Sequence, residues 1–231
     1  MNILGIESSW SEYSVAVLAG DRMVTVPGPA GLPFAHGLFA AIGRAMAQAG
    51  IVMADLDRIA VGLGPGSYTG VRLAVTAARG LAWSLEVPLA GVASFQALAA
   101  TVAAAAGGTG PVVIVADACV EEIFAGRYRV TAAGVVEEEL RVIKPAGAAG
   151  FIPAGSRVAG PGLLKHGPAL RAAVVGAEFI DGWNTPGADA VIRECERGGS
   201  YAPAAAGTAV PLYLKASEPE RRRAAARLSN G

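Results

Sequence analysis

The sequence predicts an α/β chain of two related units, each a mixed β-sheet backed by helices, and three observations carry that prediction. The chain opens with three short apolar strands, Asn2 to Glu7, Tyr13 to Ala19 and Arg22 to Val26, and Gly20-Asp21 is a two-residue hairpin turn. A rigid glycine turn, Gly64-Pro65-Gly66-Ser67-Tyr68-Thr69-Gly70, then separates a buried strand, Arg58 to Leu63, from a proline-free helix, Val71 to Leu85. After the linker Gly107-Gly108-Thr109-Gly110-Pro111 the pattern restarts with the apolar strand Val112 to Ala116.

The remaining elements follow in order. Phe34 to Ala49 places Leu38, Ile42, Ala45 and Ala49 at helical spacing after the breakers Pro27 to Gly31. Pro88 to Val92 reads as a short strand and Ser94 to Ala106 as a helix. In the second unit, Glu121 to Val130 and Val135 to Ile143 read as strands of an antiparallel sheet. A short strand ends at Val158-Ala159-Gly160-Pro161-Gly162, followed by helices over Leu163 to Ala172 and Ala188 to Arg197. The expected division is 1–106 and 107–200, with 201–231 packing back on the first unit.

Composition excludes several classes. With 231 residues and 53% hydrophobic content the chain can bury a good core, so disorder is excluded. Lys and Arg number 19, as do Asp and Glu, and a chain without basic surplus does not grip a nucleic-acid backbone by itself. The dense basic run Arg221-Arg222-Arg223 with Arg227 reads as a solvated helix or frayed tail. Cys119 and Cys195 are too few for a disulfide framework or zinc cluster and read as reduced cytosolic thiols. Met1 to Glu7 lacks the basic and apolar regions of a signal peptide, and the longest apolar tract, Ala97 to Ala106, is well short of the roughly 20 residues a bilayer crossing needs. A soluble cytoplasmic protein is expected.

The glycine turn is the first place to seek chemistry. Gly64, Gly66 and Gly70 permit positive φ or close backbone approach, and Ser67 or Thr69 can cap the helix that follows. Unpaired amides at such a start attract anions. Likeness to actin-like enzymes, whose first hairpin turn contacts nucleotide phosphate, implies that Glu7, Ser8 and Ser9 of the first connection, with Asp117 at the matching place in the second unit, join these residues as a candidate nucleotide or anion site. Ala116-Asp117-Ala118-Cys119 lacks the glycine of a second phosphate loop, which weakens a hydrolytic reading.

Three stretches carry a resemblance: Ile3-Leu4-Gly5-Ile6-Glu7-Ser8-Ser9, the glycine turn through Val71-Arg72, and Pro211-Leu212-Tyr213-Leu214-Lys215. Together they resemble the TsaB (YeaZ) family of threonylcarbamoyl-adenosine biosynthesis in tRNA, strongly over about the first hundred residues. The two-unit layout is similar to that of the actin-like ATPase (ASKHA) fold. Glu7-Ser8-Ser9 stands where TsaB proteins usually carry Asp-Thr-Ser, which brings this turn closer to the paralogous TsaD subunit. TsaD binds its metal through histidines one helical turn apart, whereas His36 and His166 here are far apart in sequence, so no metal is expected.

The resemblance implies a non-catalytic subunit that pairs with TsaD-like and TsaE-like proteins, forms a homodimer when alone, and meets tRNA only through the complex. It leaves ATP or ADP as ligands of the assembled complex and firmly implies no cofactor for this chain. The alternative is an enzyme, either a shortened TsaD-like transferase or an actin-like ATP-dependent kinase.

The helix after the glycine turn supports pairing from its own residues. Val71, Ala74, Val75, Ala78, Leu81 and Ala82 spread apolar atoms around the cylinder, and Ala74, Ala78 and Ala82 recur at one-turn spacing that admits a neighbouring helix. Arg72 and Arg79 would rim that patch, with Leu38, Ile42 and Met46 as further candidates. The competing reading buries this face under another element of the same chain. Other constellations carry less: Cys119 lies beside acids that do not activate a thiol, Gly66-Ser67 lacks the hydrolase elbow spacing, and Glu137-Glu138-Glu139 reads as a solvated strand edge.

Overall fold

The computed structural model describes residues 1–10, 12–28, 34–107, 109–183, 186–198 and 209–214. Gly108 of the linker, Lys215 of the terminal motif and the basic run Arg221-Arg222-Arg223 with Arg227 lie outside the described residues. Strands β1 (Asn2–Glu7), β2 (Ser14–Ala19), β3 (Arg22–Pro27), β4 (Arg58–Gly62) and β5 (Leu89–Val92) form one sheet in the order β3-β2-β1-β4-β5. Strands β6 (Pro111–Asp117), β7 (Ile123–Thr131), β8 (Gly134–Ile143), β9 (Arg157–Ala159) and β10 (Glu178–Phe179) form a second, in the order β10-β9-β6-β7-β8.

Read from its far edge, the second order repeats the first. In each sheet the opening three strands are antiparallel neighbours, and the fourth and fifth join parallel to the first. Each fourth strand also runs through a Gly-Pro-Gly turn, Gly64-Pro65-Gly66 or Gly160-Pro161-Gly162, toward a helix. This is the actin-like fold, duplicated within one chain.

Among the described residues five helices cover the sheets: α1 (Phe34–Ala49), α2 (Tyr68–Leu85), α3 (Ser94–Ala106), α4 (Gly162–Ala173) and α5 (Ala188–Glu196). Strand alternation decides which residues meet them, because successive side chains point to opposite faces. Leu4, Ile6, Val15 and Val17 join the buried cluster of α1 and α2, while Ile3, Ala16 and Leu18 join that of α5. Gly5 marks how close α5 lies, since a Cβ there would stand 2.7 Å from the Ala188 carbonyl oxygen.

The last helix of each unit serves the other unit. α3 buries Phe95, Leu98 and Val102 with Val112, Ile114 and Tyr128 of the second sheet, whereas α5 packs on the first. A division at residue 106 cuts the chain at its linker but not the molecule. The physical reason is that both faces of each sheet are apolar and need cover, and an amphipathic pattern carries no address for which sheet supplies it. Near the C-terminus, Ala209 is buried in the first core and the Leu212 N–H donates to the Leu63 carbonyl at 2.8 Å.

Candidate functional site

Glu7 ends β1 and is fully buried, at 0% exposure. The Ser9 N–H donates to Glu7 Oε1 at 2.6 Å, and the Ser9 hydroxyl approaches the same oxygen. Ser94, at the start of α3, sets its Oγ 2.7 Å from Glu7 Oε2 and 2.6 Å from Ser9 Oγ. The Gly64 N–H donates to that Ser94 Oγ at 3.1 Å. Burial pushes the Glu7 carboxyl above the usual range, opposed by hydrogen bonds from Ser9 and Ser94 and from backbone N–H groups of Ser9 and Ser8.

The glycine turn wraps this knot. The Ser67 N–H donates to the Ser9 carbonyl at 2.6 Å, and the Ser8 hydroxyl donates to the Gly70 carbonyl at 2.8 Å. Ser67 accepts the Gly70 N–H at 3.2 Å and is the N-cap of α2, so the helix starts at Tyr68, three residues before the expected Val71, and Thr69 sits exposed in its first turn. Gly64 has φ +85°, and a Cβ on Gly66 would lie 2.2 Å from the Ser9 carbonyl oxygen. Amides of Gly64, Ser67 and Gly70 that the sequence offered to an anion are thus engaged inside the fold.

The second unit builds a different group at the matching strand end. Asp117 closes β6, and its carboxylate accepts from Lys165 Nζ at 3.1 Å, pairs with His166 Nε2 at 2.8 Å, and accepts the Cys119 N–H at 3.3 Å. Burial raises the Asp117 pKa, but hydrogen bonds and charge from His166 and Lys165 outweigh it and leave the carboxyl below the ordinary range. The turn beyond runs through Cys119, Val120 and Glu121 with φ of 62°, 51° and 60°. Among the described residues no hydrogen bond joins Asp117 to Glu7, Ser8 or Ser9, and no cluster of His, Cys, Asp and Glu could hold a metal ion.

The pairing surface expected on α2 needs correction. Val71, Ala74, Val75, Ala78 and Ala82 are all buried in this chain's own core, Ala78 at 0% exposure, and Leu81 packs partly against it. Leu38, Ile42 and Met46 of α1 lie in the same core. The alanine row is what lets α2 lie close on its own sheet, since a small side chain shortens the approach. The residues α2 leaves outward include Arg72, Leu73, Thr76, Arg79, Gly80 and Trp83, the last 79% exposed. Phe39, on α1, is 63% exposed.

A family model described as TsaD, tRNA N6-adenosine threonylcarbamoyltransferase, matches residues 25–164. This chain belongs to that family, on its TsaB (YeaZ) branch. The tRNA threonylcarbamoyladenosine biosynthesis protein TsaB of Bacillus subtilis is 35% identical over 108 residues, covering 43% of this chain and 44% of that protein. The tRNA N6-adenosine threonylcarbamoyltransferase of Paracoccus denitrificans is 37% identical over 109 residues, 40% of this chain and 31% of that protein. The chain therefore matches less than half the length of these relatives. YeaZ from Pseudomonas aeruginosa superposes with a TM-score of 0.78 at 26% identity, over 92% of this chain and 99% of that one.

In this TsaB-family chain two groups escaped the sequence reading. Ser94 reads as an ordinary residue at a helix start, and no local pattern links it to Glu7, 87 positions away. Tyr213 and Tyr68 flank Arg72: their rings lie 5.1 Å apart, the guanidinium carbon sits 4.3 Å from the Tyr68 ring centre, and Arg72 Nε donates to the Tyr213 hydroxyl at 3.2 Å. The terminal motif Pro211-Leu212-Tyr213-Leu214 gave the signal, but not its seat beside α2.

Proposed function

We propose that this chain is a non-catalytic subunit required to form threonylcarbamoyl-adenosine next to the anticodon of tRNA, pairing with TsaD-like and TsaE-like proteins. The partner subunits support transfer of the threonylcarbamoyl group from its adenylate, and the chain alone forms a homodimer through the same face. ATP or ADP belongs to the assembled complex, and tRNA is met there. The observation that carries the reading is Trp83, a large apolar ring standing 79% exposed on the helix that follows the family's glycine turn. Leu73 and Gly80 share its outward side, and Arg72 and Arg79 rim it. The buried state of Glu7 supports the same reading, because both oxygens of its carboxyl already have serine neighbours.

Mixing the purified chain with TsaD-like and TsaE-like subunits, threonylcarbamoyl-adenylate and tRNA tests the proposal. Modified tRNA is expected only when the TsaD-like subunit is present. Trp83→Ala is expected to weaken association by about thirtyfold, as loss of a central aromatic anchor does, with the circular dichroism spectrum unchanged. Modification by this chain alone would favour the transferase reading, and unchanged sedimentation of Trp83→Ala mixtures would remove α2 from the interface.

A further inference from the structure

We propose that Glu7 is held as a neutral carboxylic acid that closes a ring of hydrogen bonds with the hydroxyls of Ser9 and Ser94, a proton-dependent clasp joining β1, the glycine turn and α3. Counting hydrogens leads there. Four oxygens line up as Glu7 Oε1, Ser9 Oγ, Ser94 Oγ and Glu7 Oε2, giving three close contacts, of which the last two measure 2.6 and 2.7 Å. An ionised Glu7 brings no hydrogen, so the two hydroxyls can fill only two contacts, and the third sets lone pair against lone pair in a site without water's dielectric. One proton on Glu7 completes the set.

The surrounding donors fix its place. Oε1 already accepts the Ser9 N–H at 2.6 Å, so it is the carbonyl oxygen, and Oε2 carries the proton. Glu7 then donates to Ser94, Ser94 donates to Ser9, and Ser9 donates back to Oε1. Ser94 keeps a second lone pair for the Gly64 N–H at 3.1 Å. Each oxygen of the ring is satisfied.

The hydrogen bonds to Glu7 favour its charged form, but no opposite charge among the described residues joins them. β2 places Ser14 opposite Glu7, and β4 supplies Gly62, where a Cβ would lie 2.0 Å from Oε2. α3 contributes Ser94, and the turn contributes Ser8 and Ser9; no charged side chain among the described residues acts on the carboxyl. Burial raises its pKa, in agreement with the count. The clasp also reaches across the molecule, since α3 is seated on the second sheet while the glycine turn leads into α2.

The sign of the pH effect follows. A carboxyl whose folded pKa is raised gives stability present in full below its unfolded pKa and lost as pH rises through the folded value. The full chain is therefore expected to grow easier to denature as pH rises from mildly acidic to alkaline, and Glu7→Gln, whose amide reproduces one donor and one acceptor, is expected to lose that dependence. At neutral pH its unfolding constant is expected to stay within about threefold of the native one. A variant more than about tenfold less stable at neutral pH, with the native pH slope retained, would overturn the clasp. The native chain gives an independent readout: with carbon-13 in its glutamate carboxyls, one resonance should remain at the protonated position at neutral pH and titrate above the rest. All glutamates titrating together in the ordinary acid range would overturn the proposal without any variant.

Discussion

Gly66 shows what the first turn demands of a single position. Its missing side chain is filled by the Ser9 carbonyl, 2.2 Å from where a Cβ would stand, and that oxygen also receives the Ser67 N–H. The atoms a Cβ would meet are the Ser9 carbonyl and Cβ, which offer no flexible end to move aside. Gly66→Ala is therefore expected to cost about 3 kcal/mol, at the upper end for overpacking, and to lower the thermal midpoint by several degrees. A native midpoint would show that the turn yields more easily than its contacts imply. At this scale the sequence displayed Glu7, Ser9 and the glycines, because strand, turn and helix start are local patterns. Ser94 and the Asp117–His166 pair were not legible, since each depends on chain segments that only the fold brings together.

Helix α2 carries the clearest trade between a chain's own stability and an outward face. Gly80 sits exposed in its interior with open space where a Cβ would go, although glycine costs a helix about 0.5–1 kcal/mol against alanine. Gly80→Ala is expected to stabilise the isolated chain by that amount in chemical denaturation while leaving its secondary structure unchanged. A loss of stability would mean the site is crowded within the monomer. The helix itself was readable, within three residues at its start, from its proline-free apolar run. Which side it buries was not, because alanine and valine occur nearly all round and only the neighbouring sheet selects among them. The same limit hid β10, whose two residues are too few to show a period, and the 3-10 turns at Met53–Asp55 and Pro145–Gly150.

The molecule as a whole is an interlock. α3 leaves the first unit to cover the second sheet, and α5 returns to cover the first, so neither sheet is closed by its own segment alone. Gly5 lies under the returning helix, with Ala188 and Ile192 against it. Gly5→Val is expected to lift α5, lower stability by about 1–3 kcal/mol and broaden or split the thermal transition relative to that of the native chain. A sharp single transition at the native midpoint would show that α5 is dispensable to the first sheet. The duplication was legible as a restart after the linker, and the matching strand order bears it out. The exchange of helices was not, because hydrophobic periodicity says that a face is covered without saying by what.

That exchange sets a timetable for the growing polypeptide. Strands β1 to β3 are made well before the helix that shields one side of their sheet, Ala188–Glu196, and the strap through Leu212 comes later still. Until that helix is made, one greasy face of the first sheet stays bare on the growing chain, a surface through which partly made copies can stick to one another.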